Sequence, residues 1–293
     1  MFLHDSQHWF VACAWLALLA LGVLAYLAVQ YARSPYSPWE IVLYIPTYLF
    51  GRLLWRVQFM NSPPAALQTG AVLVANHRSS VDPFFVQLSA GRRVHWMVAR
   101  EYCESRIFGP ILRAVQAIPT NRSGMDTGAT KLAIRLAREG RLVGMFPEGR
   151  LNHTACDPLV SIRPGAALVA MRAGVPMIPL LIEGSPYRRE VWSPLIMPAH
   201  VQITFGEPID PSPPSEENVA VAQPDSLAAT DTSSASATRD SSEREHQRRL
   251  EMIETERMML AWGKQIVRMA GIPDWPIEIA GRSRLASNLK APT

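Results

Sequence analysis

Residues 70–83 read G-A-V-L-V-A-N-H-R-S-S-V-D-P, an apolar run that passes directly into polar, proton-carrying side chains. A strand over residues 71–75 brings His77 to its C-terminal end, the end that borders the ligand crevice in open α/β sheets. Asp82 followed by Pro83 is a helix-start signal, with Asp as N-cap and Pro at the first helical position. On one continuous helix His77 and Asp82 would stand about 140° apart. A loop leading into a helix folds back instead, and it can set the carboxylate against one imidazole nitrogen while the other stays free to take a proton. Taken alone, this spacing is a weak motif, and a cap with a polar loop residue is its commoner reading.

Working outward, strand-like and helix-like runs alternate. Residues 93–98 are strand-like. A helical run over 130–138 stops at Gly140, and a strand over 142–146 follows. A helix over 166–172 stops at Gly174, and strands over 175–182 and 201–205 complete the series. This alternation predicts an α/β domain with a mixed, largely parallel sheet and flanking helices. Two further strand ends are chemically loaded. G144-M-F-P-E-G-R150 presents Pro147, Glu148, Gly149 and Arg150, and A117-I-P-T-N-R122 ends in Arg122. Gly149 permits a tight turn, and the arginines offer planar donor forks suited to phosphate. Two arginines and a glutamate near a His/Asp pair point to an anionic substrate and proton transfer.

The chain has 293 residues, 48% hydrophobic, with a net charge of +4, enough for a sizeable core and a mild attraction to anionic surfaces. No dense Lys/Arg tract with interleaved aromatics occurs, so nucleic acid is not an expected partner. Cys13, Cys103 and Cys156 have neither C-x-x-C spacing nor a disulfide pattern, and no metal-ligand cluster is visible. Residues 9–29 carry no charge and, as a helix, would measure roughly 30 Å, the thickness of bilayer hydrocarbon. Trp9, Tyr26 and Tyr31 suit its interfaces. Arg33, Arg52 and Arg56 follow this stretch and no Lys or Arg precedes it, which places the remainder of the chain on the cytoplasmic face.

The expected organisation is therefore an N-terminal transmembrane anchor (1–33) and an interfacial amphipathic helix with linker (34–69), interrupted near Pro46. A helical hairpin dipping into one leaflet is the alternative for these two segments. A catalytic domain (70–210), a Ser/Pro/Ala-rich disordered linker (211–241) and a C-terminal helical segment (242–293) follow. The tract R92-R-V-H-W-M97, with residues 39–60, is expected to help seat the domain on anionic lipid.

N76-H-R-S-S-V-D82 resembles the N-H-x-S-x-x-D block of the glycerolipid acyltransferases, the family that contains 1-acylglycerol-3-phosphate acyltransferase. I-P-T-N-R122, F146-P-E-G-R150 and V175-P-M-I-P179 are similar to that family's second, third and fourth blocks, in the same order, over residues 70–210. The third block departs from the F-P-E-G-T-R-S form in that Arg150 follows Gly149 directly. The F-P-E-G-R form also occurs among 2-acylglycerophosphoethanolamine acyltransferases, so the acceptor lipid stays open. The resemblance implies a membrane-bound enzyme that moves a fatty acyl group from acyl-CoA or acyl-carrier protein to a lysophospholipid hydroxyl, foremost 1-acylglycerol 3-phosphate, with no cofactor and no metal. It implies His77 as general base and Asp82 as its partner. Arg122, Glu148, Gly149 and Arg150 are assigned to the substrate phosphate and its loop, and Asn76, Ser79 and Pro147 to support. Two rivals of other classes are a serine lipid hydrolase using Ser79 or Ser80 and a non-catalytic membrane scaffold. The hydrolase lacks a G-x-S-x-G elbow.

Overall fold

A computed structural model describes residues 11, 13–22, 25, 29, 32, 36–121, 126–154, 159–188, 192–211 and 235–280, the last stretch by backbone alone as far as residue 244. Two compact units divide it, residues 1–44 and residues 45–293, with the boundary inside helix α1 (Pro38–Leu49). In the first unit, residues 13–22 are helical and exposed, Trp15, Leu16 and Leu19 among them. Among the described residues no helix is long and apolar enough to cross a membrane. Residues 1–10, 12, 23, 24, 26–28, 30, 31 and 33 of the expected anchor (1–33) lie outside the described residues. The break expected at Pro46 does not occur there. The helix runs through Pro46 to Leu49 and continues as a π-turn over Phe50–Leu54, ending at the buried Trp55. Proline removes one hydrogen bond, and the flanking turns keep theirs.

The second unit is built on a seven-stranded sheet. Its strands are β1 (Gln58–Phe59), β2 (Ala71–Ala75), β3 (Val94–Ala99), β4 (Ile118–Thr120), β5 (Leu142–Met145), β6 (Met177–Glu183) and β7 (Gln202–Phe205). Their order across the sheet is β1-β7-β6-β2-β5-β3-β4; among these strands β6 and β7 pair antiparallel and the other neighbours pair parallel. Between them run α2 (Asp82–Ala90), α3 (Arg100–Cys103), α4 (Phe108–Ala114), α5 (Thr127–Arg138) and α6 (Gly165–Ala173). Helices α5 and α6 end as their glycines dictate: Gly140 and Gly174 take φ of 77° and 68°, where a side chain would strain the turn.

The central strands are buried on both faces, which explains their near-continuous apolar sequences. Val72 and Val74 point into one core with α5 and α6, while Ala71, Leu73 and Ala75 point into the other with Phe85 and Val86 of α2. Parallel β2, β3, β5 and β6 all deliver their C-terminal ends to one edge of the sheet.

The last helix, α7, spans Ala235–Met269, so it begins seven residues before the expected boundary at 242. Residues 235–241 contain no proline or glycine to stop it. The remainder of the expected linker, 212–234, lies outside the described residues. Helix α7 belongs to the core of the main domain. Met258, Met259, Trp262, Ile266 and Val267 are buried among α5, α6 and the sheet, and the Trp262 indole donates to the Val74 carbonyl at 2.9 Å. The chain then returns to bridge Ile162 with Ile279. Replacing Trp262 with alanine should cost about 3–5 kcal/mol in urea unfolding. A loss below about 1 kcal/mol would place α7 outside the cooperative core.

Candidate active site

The site grows out of the β2–β5 pair, neighbours in register with Val74 opposite Met145. Beyond Ala75 the chain leaves the sheet, but Asn76 extends its pairing with β6. The Asn76 amide donates to the Ile182 carbonyl at 2.9 Å and accepts from the Ile182 N–H at 2.8 Å, standing in for one more peptide of the ladder. That clamp fixes where His77 emerges.

The next turn folds back on itself. Asp82, wholly buried, accepts at Oδ2 from His77 Nδ1 at 3.1 Å and from the backbone N–H groups of Arg78 and Ser79, each at 2.8 Å. Its other oxygen accepts from the Ser185 hydroxyl at 2.7 Å. Asp82 is therefore not the helix cap that its Asp-Pro sequence suggests. Val81 takes the cap position without a side-chain bond, Asp82 lies in the first turn, and its carboxylate serves the preceding loop. Both oxygens are satisfied, which lets a carboxylate stay charged away from water. Facing it, Nδ1 carries the proton, and the lone pair of Nε2 is left free on a ring that keeps 17% of its side chain exposed.

From β5 comes the opposing wall. The Phe146 ring stacks on the His77 imidazole at 3.8 Å between centroids, and Trp96 of β3 stacks on Phe146 at 4.7 Å. Trp96 lies across the sheet from Gly144, where a Cβ would stand only 2.6 Å from its ring. Glycine at 144 therefore makes room for the column of rings that orients His77. Glu148 is 3% exposed. Its Oε1 accepts from the His77 N–H at 2.8 Å and its Oε2 from the Val160 N–H at 3.4 Å. Burial pushes this carboxyl up to about 7, against the pull of those two N–H groups, and the nearby Asp82 charge adds to the rise. Glu148, expected at the substrate phosphate, is enclosed instead, with its carboxyl turned to backbone donors. Its contacts are with the His77 loop, and a carboxylate would in any case repel phosphate.

The remaining expected residues sort by position. Gly149 adopts φ of 66°, and the Arg163 guanidinium lies 3.2 Å from where its Cβ would be. Arg150 is exposed beside this turn, and buried Pro147 accepts at its carbonyl from the Arg163 N–H at 2.8 Å. Arg122 lies outside the described residues; the strand before it ends at Thr120. Ser79 is buried, and its hydroxyl accepts from the Val81 N–H at 3.4 Å, so it shapes the turn and presents no nucleophile to solvent. Three contributors escaped the sequence reading. Ser185 holds Asp82, and Asn152 donates its N–H to the His77 carbonyl at 2.7 Å. Trp96 completes the ring column. Each meets the site through tertiary pairing; Asn152 lies two residues beyond Arg150, and Trp96 lies in the tract at 92–97. The tract at 92–97 is likewise structural: Arg92 donates to the carbonyls of Gln68 and Gly140, and His95 and Trp96 are buried.

Residues 56–183 match the family profile described as Acyltransferase. Those residues of the chain carry an acyltransferase domain. The chain's similarity is to the 1-acyl-sn-glycerol-3-phosphate acyltransferases. Over 171 residues it is 26% identical to the one from Bacillus subtilis (strain 168), spanning 56% of this chain and 81% of that protein. A probable 1-acyl-sn-glycerol-3-phosphate acyltransferase of Mycoplasma genitalium is 27% identical over 120 residues, 39% of this chain and 44% of that protein. The crystal structure of the 1-acyl-sn-glycerophosphate (LPA) acyltransferase of Thermotoga maritima matches with a TM-score of 0.47 at 23% identity, over 59% of this chain and 69% of that one.

Glu148 gives a prediction in pH. Its folded value lies above its ordinary one of 4.5, so between 4.5 and about 7 the folded state keeps a proton that the unfolded chain has released. Stability must then fall as pH rises through that window, by on the order of 3 kcal/mol from this group. Glu148→Gln should remove the slope, so that the variant gains on the parent between pH 5 and pH 8, by about that amount. Parallel stability–pH curves would refute the buried carboxyl as described.

Proposed function

We propose that this enzyme moves a fatty acyl group from a thioester donor to the free hydroxyl of 1-acylglycerol 3-phosphate, giving phosphatidic acid. The observation that carries the reading is the pairing of His77 Nδ1 with a buried, fully hydrogen-bonded Asp82, which leaves Nε2 as the proton acceptor. The similarity to 1-acyl-sn-glycerol-3-phosphate acyltransferases supports the choice of acceptor.

In the proposed reaction, His77 Nε2 removes the proton of the acceptor hydroxyl as that oxygen attacks the thioester carbon. Asp82 holds the tautomer and stabilises the imidazolium that forms. Collapse of the tetrahedral intermediate expels the thiolate, which takes the proton back from His77. Phe146 limits the ring to one plane, and Glu148 and Asn152 fix the backbone on either side of it. Arg150 and Arg122 are assigned to the acceptor phosphate, for which a guanidinium fork is the natural partner. Acyl-CoA or acyl-carrier protein serves as donor, with no cofactor.

A membrane setting on the cytoplasmic face belongs to the same proposal. The acceptor and product are lipids, and lifting an acyl chain into water costs about 0.8 kcal/mol per CH₂. The exposed apolar helix over residues 13–22 supports this setting.

The test is acyl transfer by the full chain in lipid vesicles. Acyl-CoA and acyl-carrier protein are offered in turn with lysophosphatidic acid, lysophosphatidylethanolamine or glycerol 3-phosphate. Lysophosphatidic acid should be the preferred acceptor, and His77→Ala should lower the rate by at least about 10²-fold without altering the fold. Undiminished turnover by the variant would remove His77 from the chemistry, and product from lysophosphatidylethanolamine alone would reassign the acceptor.

A further inference from the structure

Three segments of the main domain leave large apolar side chains uncovered, and all three emerge at the sheet edge that bears His77. The π-turn at 50–54 leads into β1, which starts opposite Gln202, where β7 begins beside the end of β6. Helix α4 follows the end of β3 by way of α3, and the short 3₁₀ helix Ser193–Ile196 follows the end of β6.

These segments touch one another. The Trp55 indole donates to the Pro194 carbonyl at 3.2 Å, and Ala199 N–H donates to the Leu54 carbonyl at 3.1 Å, which ties the π-turn to the 3₁₀ segment. Trp192 then stacks on Phe108 of α4, with ring centroids 4.3 Å apart and planes within 15°. The result is an apolar band. Leu53 is 75% exposed, Ile107 62% and Ile196 78%, and Phe50, Ile111 and Trp192 are also exposed. Side chains of this size scattered singly would need no explanation. Linked by direct contacts along the rim of a catalytic edge, they do.

The charges at the margin indicate what covers the band. Arg106 precedes Ile107, and Arg113 follows Ile111 by two residues. Both are exposed, and neither has an ion-pair partner among the described residues. Arg52 lies between Phe50 and Leu53 and is likewise exposed, its guanidinium over the Tyr48 ring. Cations flanking aromatic and aliphatic side chains match the interface of an anionic bilayer, where each nearby Arg contributes about 1 kcal/mol.

We infer that this band, from Leu53 through Ile196 to Ile111, inserts into the interface of an anionic membrane and holds the His77 edge against it, independently of the N-terminal segment. The inference rests on the lipid-acyltransferase reading for its purpose, but the contact itself is a physical property that is measured separately. Seated this way, an acceptor lipid reaches the site without leaving the leaflet.

The experiment uses the full chain with nitroxide labels at I111C and I196C, the labelled unsubstituted chain as background and K131C on α5 as an exposed reference. In phosphatidylglycerol-containing vesicles, the labels at 111 and 196 should become accessible to oxygen and shielded from aqueous nickel, while the label at 131 stays aqueous. A second arm compares I107E/I196E with the parent. Acylation of lysophosphatidic acid held in those vesicles should fall about tenfold, and acylation of a short-chain, monomeric acceptor should not change. Labels at 111 and 196 that remain nickel-accessible would overturn the inference. So would labels shielded before vesicles are added, with dipolar broadening, because a second copy of the chain would then cover the band. If the parent acylates neither acceptor, the acyltransfer reading fails, and label depth still decides the membrane contact.

Discussion

The Asp82 carboxylate is the constraint on which the site depends. It lies wholly out of water, where a charge is costly unless it is hydrogen-bonded, and four donors converge on it: one imidazole nitrogen, two backbone N–H groups and one hydroxyl. Those donors come from the loop after β2 and the segment after β6, so satisfying the charge also folds the loop. The same bonds that make burial tolerable set the tautomer of His77. Structure and reactivity are therefore one electrostatic solution at this point, and weakening any donor acts on both.

Around that anion the sheet acts as a jig. Parallel strands put His77 and Glu148 side by side because β2 and β5 are neighbours. Asn76 carries the ladder one step past the strand, and the Trp96–Phe146–His77 column supplies a flat wall that needs glycine at 144. Two carboxyls sit near one imidazole with separate tasks. Asp82 meets the ring, whereas Glu148 meets the backbone and is held up to about 7 by its enclosure. Such division of paired titratable groups by environment is how acid–base sites avoid two charges competing for one position.

Much of this was legible in the sequence. Alternating runs and stop glycines indicated the parallel α/β sheet, and the block around His77 led to its carboxylate partner. The parts that escaped depend on partners distant in the chain. Ser185 reaches Asp82 across 103 residues, and Trp262 reaches Val74 across 188. No local pattern encodes either. Asp82 itself misled, because Asp-Pro ordinarily announces a cap, and only the backward fold of residues 77–79 turns the carboxylate elsewhere. The 92–97 tract misled for a similar reason: charge and aromatics suggested a lipid surface, but parallel pairing on both sides of β3 drew His95 and Trp96 inside. The apolar band at 107–111 and 192–196 was invisible because its two halves meet only when β3 and β6 bring them to the same edge.

The central claim concerns where the protons sit on one ring, and nitrogen NMR reads that directly. In protein labelled with ¹⁵N at histidine, the neutral His77 imidazole should show a protonated Nδ1 and an unprotonated Nε2, with the Nδ1 proton shifted downfield by its carboxylate partner. A neutral ring protonated at Nε2 instead would contradict the account, because the nitrogen facing the substrate would then have no lone pair to offer.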